Sequence, residues 1–148
     1  MKDFLEIMAE RAKRIVQKDG DHLPMVFAMV NGKLYHVPII AIGTNPREGI
    51  KAAIETFRGM KADWIVVVMT VRLRVMKFDE FKEFMKNYKL GDLQKDRKAV
   101  DILMISGYER SGKQHHKAYQ IIRMEETYEL DEIDVGEQLR GFLVPEPW

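Results

Sequence analysis

The stretch Gly107-Tyr108-Glu109-Arg110-Ser111-Gly112-Lys113-Gln114 comes within one residue of G-x-x-x-x-G-K-[ST], the loop whose backbone N–H groups cradle nucleotide phosphates. It follows an apolar run, as that loop should. The chemistry also needs a hydroxyl after the lysine to hold Mg²⁺, and Gln114 has none. No other apolar run ends in an acid that could be a second Mg²⁺ anchor. The stretch therefore reads as a hairpin turn with Gly at a positive-φ position.

His115-His116 offers two imidazoles. Adjacent residues point to opposite faces of a strand and diverge on a helix, so one ion cannot easily take both. No His-Glu-x-x-His spacing occurs, and His22 and His36 are far off in sequence. A metal-dependent nuclease holds its ion with carboxylates and stabilises charge with a lysine while water attacks the phosphodiester. Asp63 with Glu80-Phe81-Lys82 has those residue types, but this E-x-K lies in a helical pattern, where positions two apart do not share a face. No Gly-x-Ser-x-Gly or Ser-His-Asp arrangement is visible. The sequence assigns no catalytic residue, no metal ligand and no cofactor.

The basic residues cluster better. Arg72, Arg74 and Lys77 leave one long apolar run, and Lys95, Arg97 and Lys98 lead into the next. If the two runs are antiparallel neighbours, both groups fall at one end of a sheet, with Arg110, Lys113 and Lys117 at the other. Lys and Arg gathered on one surface are the footprint of phosphate-backbone binding. The plainer reading is a solvated rim.

The positioning elements follow from periodicity. Trp64 to Val71 is a continuous, β-branched apolar run, which reads as a central strand covered on both faces. Past Thr70, Val71, Leu73 and Val75 alternate with Arg72, Arg74 and Met76, so the far half wets one face. Residues 2 to 18 are a helix with Phe4, Leu5, Met8, Ala12, Ile15 and Val16 on its buried face and Gly20 as its stop. Glu10 is placed to pair with Arg14, one turn on. Asn31-Gly32 is the two-residue signature of a type I′ hairpin, setting Met29 against Leu34 and Phe27 against His36.

Asn45, Pro46 and Glu48 start a second helix that buries Ile50, Ala53, Ile54 and Phe57 and ends at Gly59. The following strand should run parallel to 33–39. Phe78, Phe81, Met85 and Tyr88 have helical spacing. Ala99 to Ser106 reads as a second buried strand, His115 to Met124 as a returning strand, and Leu139 to Val144 as a short edge strand.

The 148 residues suffice for one domain with a core. There is no Cys, which excludes disulfides and thiolate chemistry. No apolar run approaches the ~18 residues of a membrane span, and no secretion signal is apparent, so the expected location is cytoplasmic. With 32% charged residues but only three Asn and five Gln, the composition leans towards a heat-adapted source. From Glu125 to Trp148 eight acids face one base, Arg140, a net of −7. Residues 1 to 124 hold the other 23 Lys and Arg against 15 Asp and Glu, a net of +8.

The expected architecture is α+β, a mixed sheet of about five strands with two helices packed on one face, in the order α-β-β-α-β-(α)-β-β. Residues 1–124 form the core and 125–148 an acidic extension that can dock as an edge strand. The expected function is a non-catalytic binding or accessory protein, its partner nucleic acid or another protein. The expected nucleic-acid contacts are Arg72, Arg74, Lys77, Lys95, Arg97 and Lys98. The alternative is a metal-dependent enzyme of nuclease type. The sequence is silent on oligomeric state.

Overall fold

The computed structural model describes residues 1–40, 46–74, 76–89, 97–133 and 147–148. The elements among them are α1 (Lys2–Asp19), β1 (Met25–Val30), β2 (Lys33–Pro38), α2 (Pro46–Gly59), β3 (Trp64–Leu73), α3 (Phe78–Lys86), β4 (Val100–Glu109), β5 (Gln114–Arg123) and β6 (Tyr128–Ile133). They make an α+β fold on one open sheet of six strands, in the order β2-β1-β3-β4-β5-β6.

Every neighbouring pair is antiparallel, so the sheet is not mixed. β3 does run in the same direction as β2, as the strand-helix-strand order requires. The two do not pair, because β1 lies between them and bonds both. The hairpin has the expected register, Met29 opposite Leu34 and Phe27 opposite His36, around Asn31 and Gly32, both at positive φ.

The helices cover opposite faces of the sheet, which corrects the one-face expectation. Val66 and Val68 of β3 pack with Leu5, Met8 and Val16 of α1, while Ile65, Val67 and Met69 pack with Ile50, Ile54 and Phe57 of α2. The cause is the period of two along a strand: a run that is apolar at every position exposes two greasy faces, and each needs its own cover. Val66, Ile65 and Val68 are fully excluded from solvent.

α1 ends where expected. Gly20 is left-handed (φ 76°), and its N–H donates to the Val16 carbonyl at 2.7 Å. Ile15, expected on the buried stripe, is 41% exposed, and Glu10 pairs with Lys13 rather than Arg14, at 3.0 Å. α2 buries the four expected residues. Asn45, its expected cap, lies outside the described residues, as do Lys95 and the expected strand Leu139 to Val144. The sixth strand, β6, arises inside the acidic stretch. Its Leu130 packs in the α1 cluster and its Ile133 against Ile102, Met104 and Ala118 on the other face. Dense acids concealed that alternation. No helix among the described residues is long and apolar enough to cross a membrane.

Candidate nucleic-acid interface

The near P-loop is a hairpin. Gly107 to Glu109 close β4, Gln114 opens β5, and Gly112 turns the chain at φ 99°. Gly107 is small for packing reasons: a Cβ there would stand 2.8 Å from Leu5 Cδ1, under α1. The guanidinium of Arg110 donates to the Ala62 carbonyl at 3.0 Å and to that of Lys61, pinning the turn before β3 rather than facing a ligand. His115 and His116 diverge as a strand dictates. His115 Nε2 lies 3.4 Å from Glu109 Oε2, whereas His116 Nδ1 accepts from the Ser106 hydroxyl at 2.9 Å and its Nε2 donates to Gln114 Oε1 at 3.0 Å. Asp63 precedes β3, and Glu80 lies beyond its far end in α3, so a ten-residue strand separates them. At ~3.3 Å per residue that is about 30 Å, too far for one metal site. Among the described residues, no three His, Asp or Glu side chains gather to hold an ion.

The basic runs do meet. β3 and β4 are antiparallel neighbours over their full length, with Arg72 opposite Asp101 and Leu73 opposite Val100. Arg74 and Lys77, just past β3, therefore share one sheet end with Arg97 and Lys98, just before β4. Lys77 occupies the residue before α3, with extended backbone.

Part of that charge is already engaged. Arg72 forms a two-pronged bond to Asp101, Nε to Oδ1 at 2.7 Å and the second nitrogen to Oδ2 at 2.9 Å, which holds the guanidinium above its already high pKa. Arg74 lies 3.6 Å from Glu80. Beside Arg72 no helix among the described residues covers the sheet, because α1 stops at Gly20. A hollow of about 500 Å³ opens there, lined by Asp21, Thr70, Arg72, Asp101 and Ile121. Thr70 Oγ1 hydrogen-bonds Asp21 Oδ1, which also accepts the His22 N–H at 2.8 Å. Two carboxylates against one guanidinium make this hollow unsuited to phosphate.

The positive excess stands further along the chain. From Arg74 to Lys98 eight Lys and Arg face five acids. Among these bases lies α3, which buries none of its residues. Phe78 is 69% exposed, and Phe81, Met85 and Tyr88 are also open. The Phe78 and Phe81 rings stack at 6.5 Å between centroids, and Lys82 Nζ stands 5.1 Å over the Phe78 ring. The helical period was legible in the sequence, but exposure of its apolar face was not. That depends on whether another element reaches it, and no residue of α3 says so. The hollow was missed as well, since Asp21, Thr70 and Asp101 have no sequence spacing in common.

Compared with protein-family models, with curated proteins and with solved structures, the chain finds no match in any of the three.

Proposed function

We propose that the chain is a non-catalytic binding protein that engages single-stranded nucleic acid at the basic end of its sheet. The observation that carries this reading is the exposed aromatic face of α3, set in the chain between the two basic runs that the β3–β4 register brings to one end. Non-specific single-strand binders combine cations that follow the phosphates with side chains on which bases stack. Phe78 and Phe81 of α3, and Tyr88 just past its end, supply exposed π-faces. Lys82 stands over the Phe78 ring, and Arg74, Lys77, Arg97 and Lys98 supply charge at the sheet end from which α3 follows. A duplex hides its bases, so an aromatic helix gains less from it.

The test is anisotropy of a labelled single-stranded 20-mer at several salt concentrations. Binding that weakens linearly in log salt, and Phe78→Ala and Phe81→Ala variants that each lose about 1–3 kcal/mol, support the reading. Absence of binding at low salt rejects it. The nuclease reading has less support, because Asp63 and Glu80 stand at opposite ends of β3. The second reading is another protein as partner, seated on the same apolar face of α3. It is favoured if Phe78→Ala leaves oligonucleotide binding unchanged.

A further inference from the structure

β2 is an outer strand of the sheet, and all six of its residues are exposed. Its hydrogen-bonding directions follow from its neighbours. A two-residue hairpin loop closes on a bonded pair, here Val30 with Lys33, and bonding then alternates along the strand. The Ile39 N–H donates to the Pro24 carbonyl at 2.7 Å, and the Met29 carbonyl accepts from Asp63 on the β3 side at 2.8 Å, as this alternation demands. Lys33, Tyr35 and Val37 therefore bond inward to β1. Leu34 and His36 point their N–H and C=O groups outward, and Pro38 has no N–H to offer.

We infer that β2 is a self-pairing edge, and that two copies of this chain join antiparallel through it into one continuous sheet with a two-fold axis at Tyr35. In that register Leu34 faces His36 of the second copy and His36 faces its Leu34. The outward N–H and C=O groups of Leu34 and His36 on each strand are then matched, giving four bonds. Moving the axis to His36 would set Leu34 against Pro38 and leave the Leu34 carbonyl without a donor. Moving it to Leu34 would place His36 against Gly32 in the turn. The charges agree, since Lys33 meets Val37 and no like charges are opposed.

Natural edges are kept apart by bulges, inward charges or mid-strand proline. β2 has an unbroken register with β1 and carries Leu34, Tyr35 and Val37 exposed at 38–47%, with its proline only at the end. On the α1 face a mainly apolar hollow of about 240 Å³, lined by Phe4, Met8, Phe27 and Leu34 with Arg11, His22 and His36 at its polar side, borders the edge where a second Leu34 would emerge. An isologous contact of this kind closes at two copies instead of growing into a fibre.

Sedimentation equilibrium of the full chain, with amide exchange followed by NMR, tests the pairing. Expected is a mass twice the 17.3 kDa chain at high concentration. The Leu34 and His36 amides should be protected in the dimer and exchange on dilution, while Tyr35 and Val37, bonded to β1, stay protected throughout. His36→Pro, which removes an outward donor but no hydrogen bond to β1, should yield a monomer with Tyr35 and Val37 still protected. Should that variant fail to fold, Tyr35→Lys sets two ammonium groups across the axis and should dissociate the pair. A 17.3 kDa species up to about 1 mM, where even a millimolar Kd shows, overturns the inference. So does a dimer whose Leu34 and His36 amides exchange freely, which would place the contact elsewhere, on α3 for example.

Discussion

Arg72 and Asp101 face each other across β3 and β4, joined by two parallel hydrogen bonds of 2.7 and 2.9 Å. Both side chains are 39% exposed, so the pair is a surface one, of ~0–1 kcal/mol. It also decides whether Arg72 can serve a phosphate. Asp101→Asn should lower the melting temperature by no more than about 2–4 °C, the shift that goes with 1 kcal/mol in a chain of this size. It should also tighten single-strand binding at low salt and steepen the salt dependence by about one phosphate contact. Unchanged binding with a normal melt would remove Arg72 from the interface.

Gly20 and Gly32 both sit at positive φ, 76° and 75°, and separate two effects. A Cβ at Gly32 would meet nothing within 4 Å, so Gly32→Val is penalised by backbone conformation alone, about 1–2 kcal/mol. At Gly20 the same atom would run into the Tyr128 ring, so even Gly20→Ala adds a collision with β6. Gly20→Ala should therefore be the more damaging of the two in urea melts, and Tyr128→Ala should relieve part of its effect. Additive behaviour of the double variant would show that α1 and β6 do not meet there.

Val67 is buried at the α2 face of the central strand, between Val26 of β1 and Ser106 of β4. Val67→Asp places a carboxylate among apolar side chains, with no cation in that cluster among the described residues, and the expected result is loss of folding rather than a lowered melting point. Val67→Ala should cost about 1–3 kcal/mol and keep the fold. Circular dichroism distinguishes them. A native spectrum for Val67→Asp would mean that the sheet is not covered on that side.

Lys13 links the basic body to the acidic segment. Its ammonium is held above the ordinary lysine range, first by the hydrogen bond to Glu10 and further by nearby charge that includes Glu132 of β6. Neutralising Glu125, Glu126, Glu129, Asp131 and Glu132 to their amides removes counter-charge from the body while keeping Leu130 and Ile133 to dock the strand. Oligonucleotide binding should become tighter than wild type at low salt, and the difference should vanish as salt rises past a Debye length of ~8 Å. Equal affinities at low salt would show that these acids do not compete with the ligand.

What the residues determined by themselves was local. The Asn31-Gly32 turn, its register, the left-handed stop at Gly20, the burial of Ile50, Ala53, Ile54 and Phe57, and the apolar centre of β3 all follow from chemistry within a few positions. The opposite directions of His115 and His116 were legible for the same reason. Tertiary structure decided the rest. Two apolar faces on β3 admit a helix on each side, but which helix takes which face depends on chain reversals that leave no periodic trace. Strand order is likewise a non-local choice, so β1 stands between β2 and β3 with no residue announcing it. β6 was concealed because its acids obey solvation while Leu130 and Ile133 obey packing, and only a partner strand shows which prevails. The six bases of the expected interface were legible as charge. That Arg72 belongs to Asp101 required residues 29 apart in the chain to meet across β3 and β4, and that the aromatic face of α3 is left open depends on which elements fold against it.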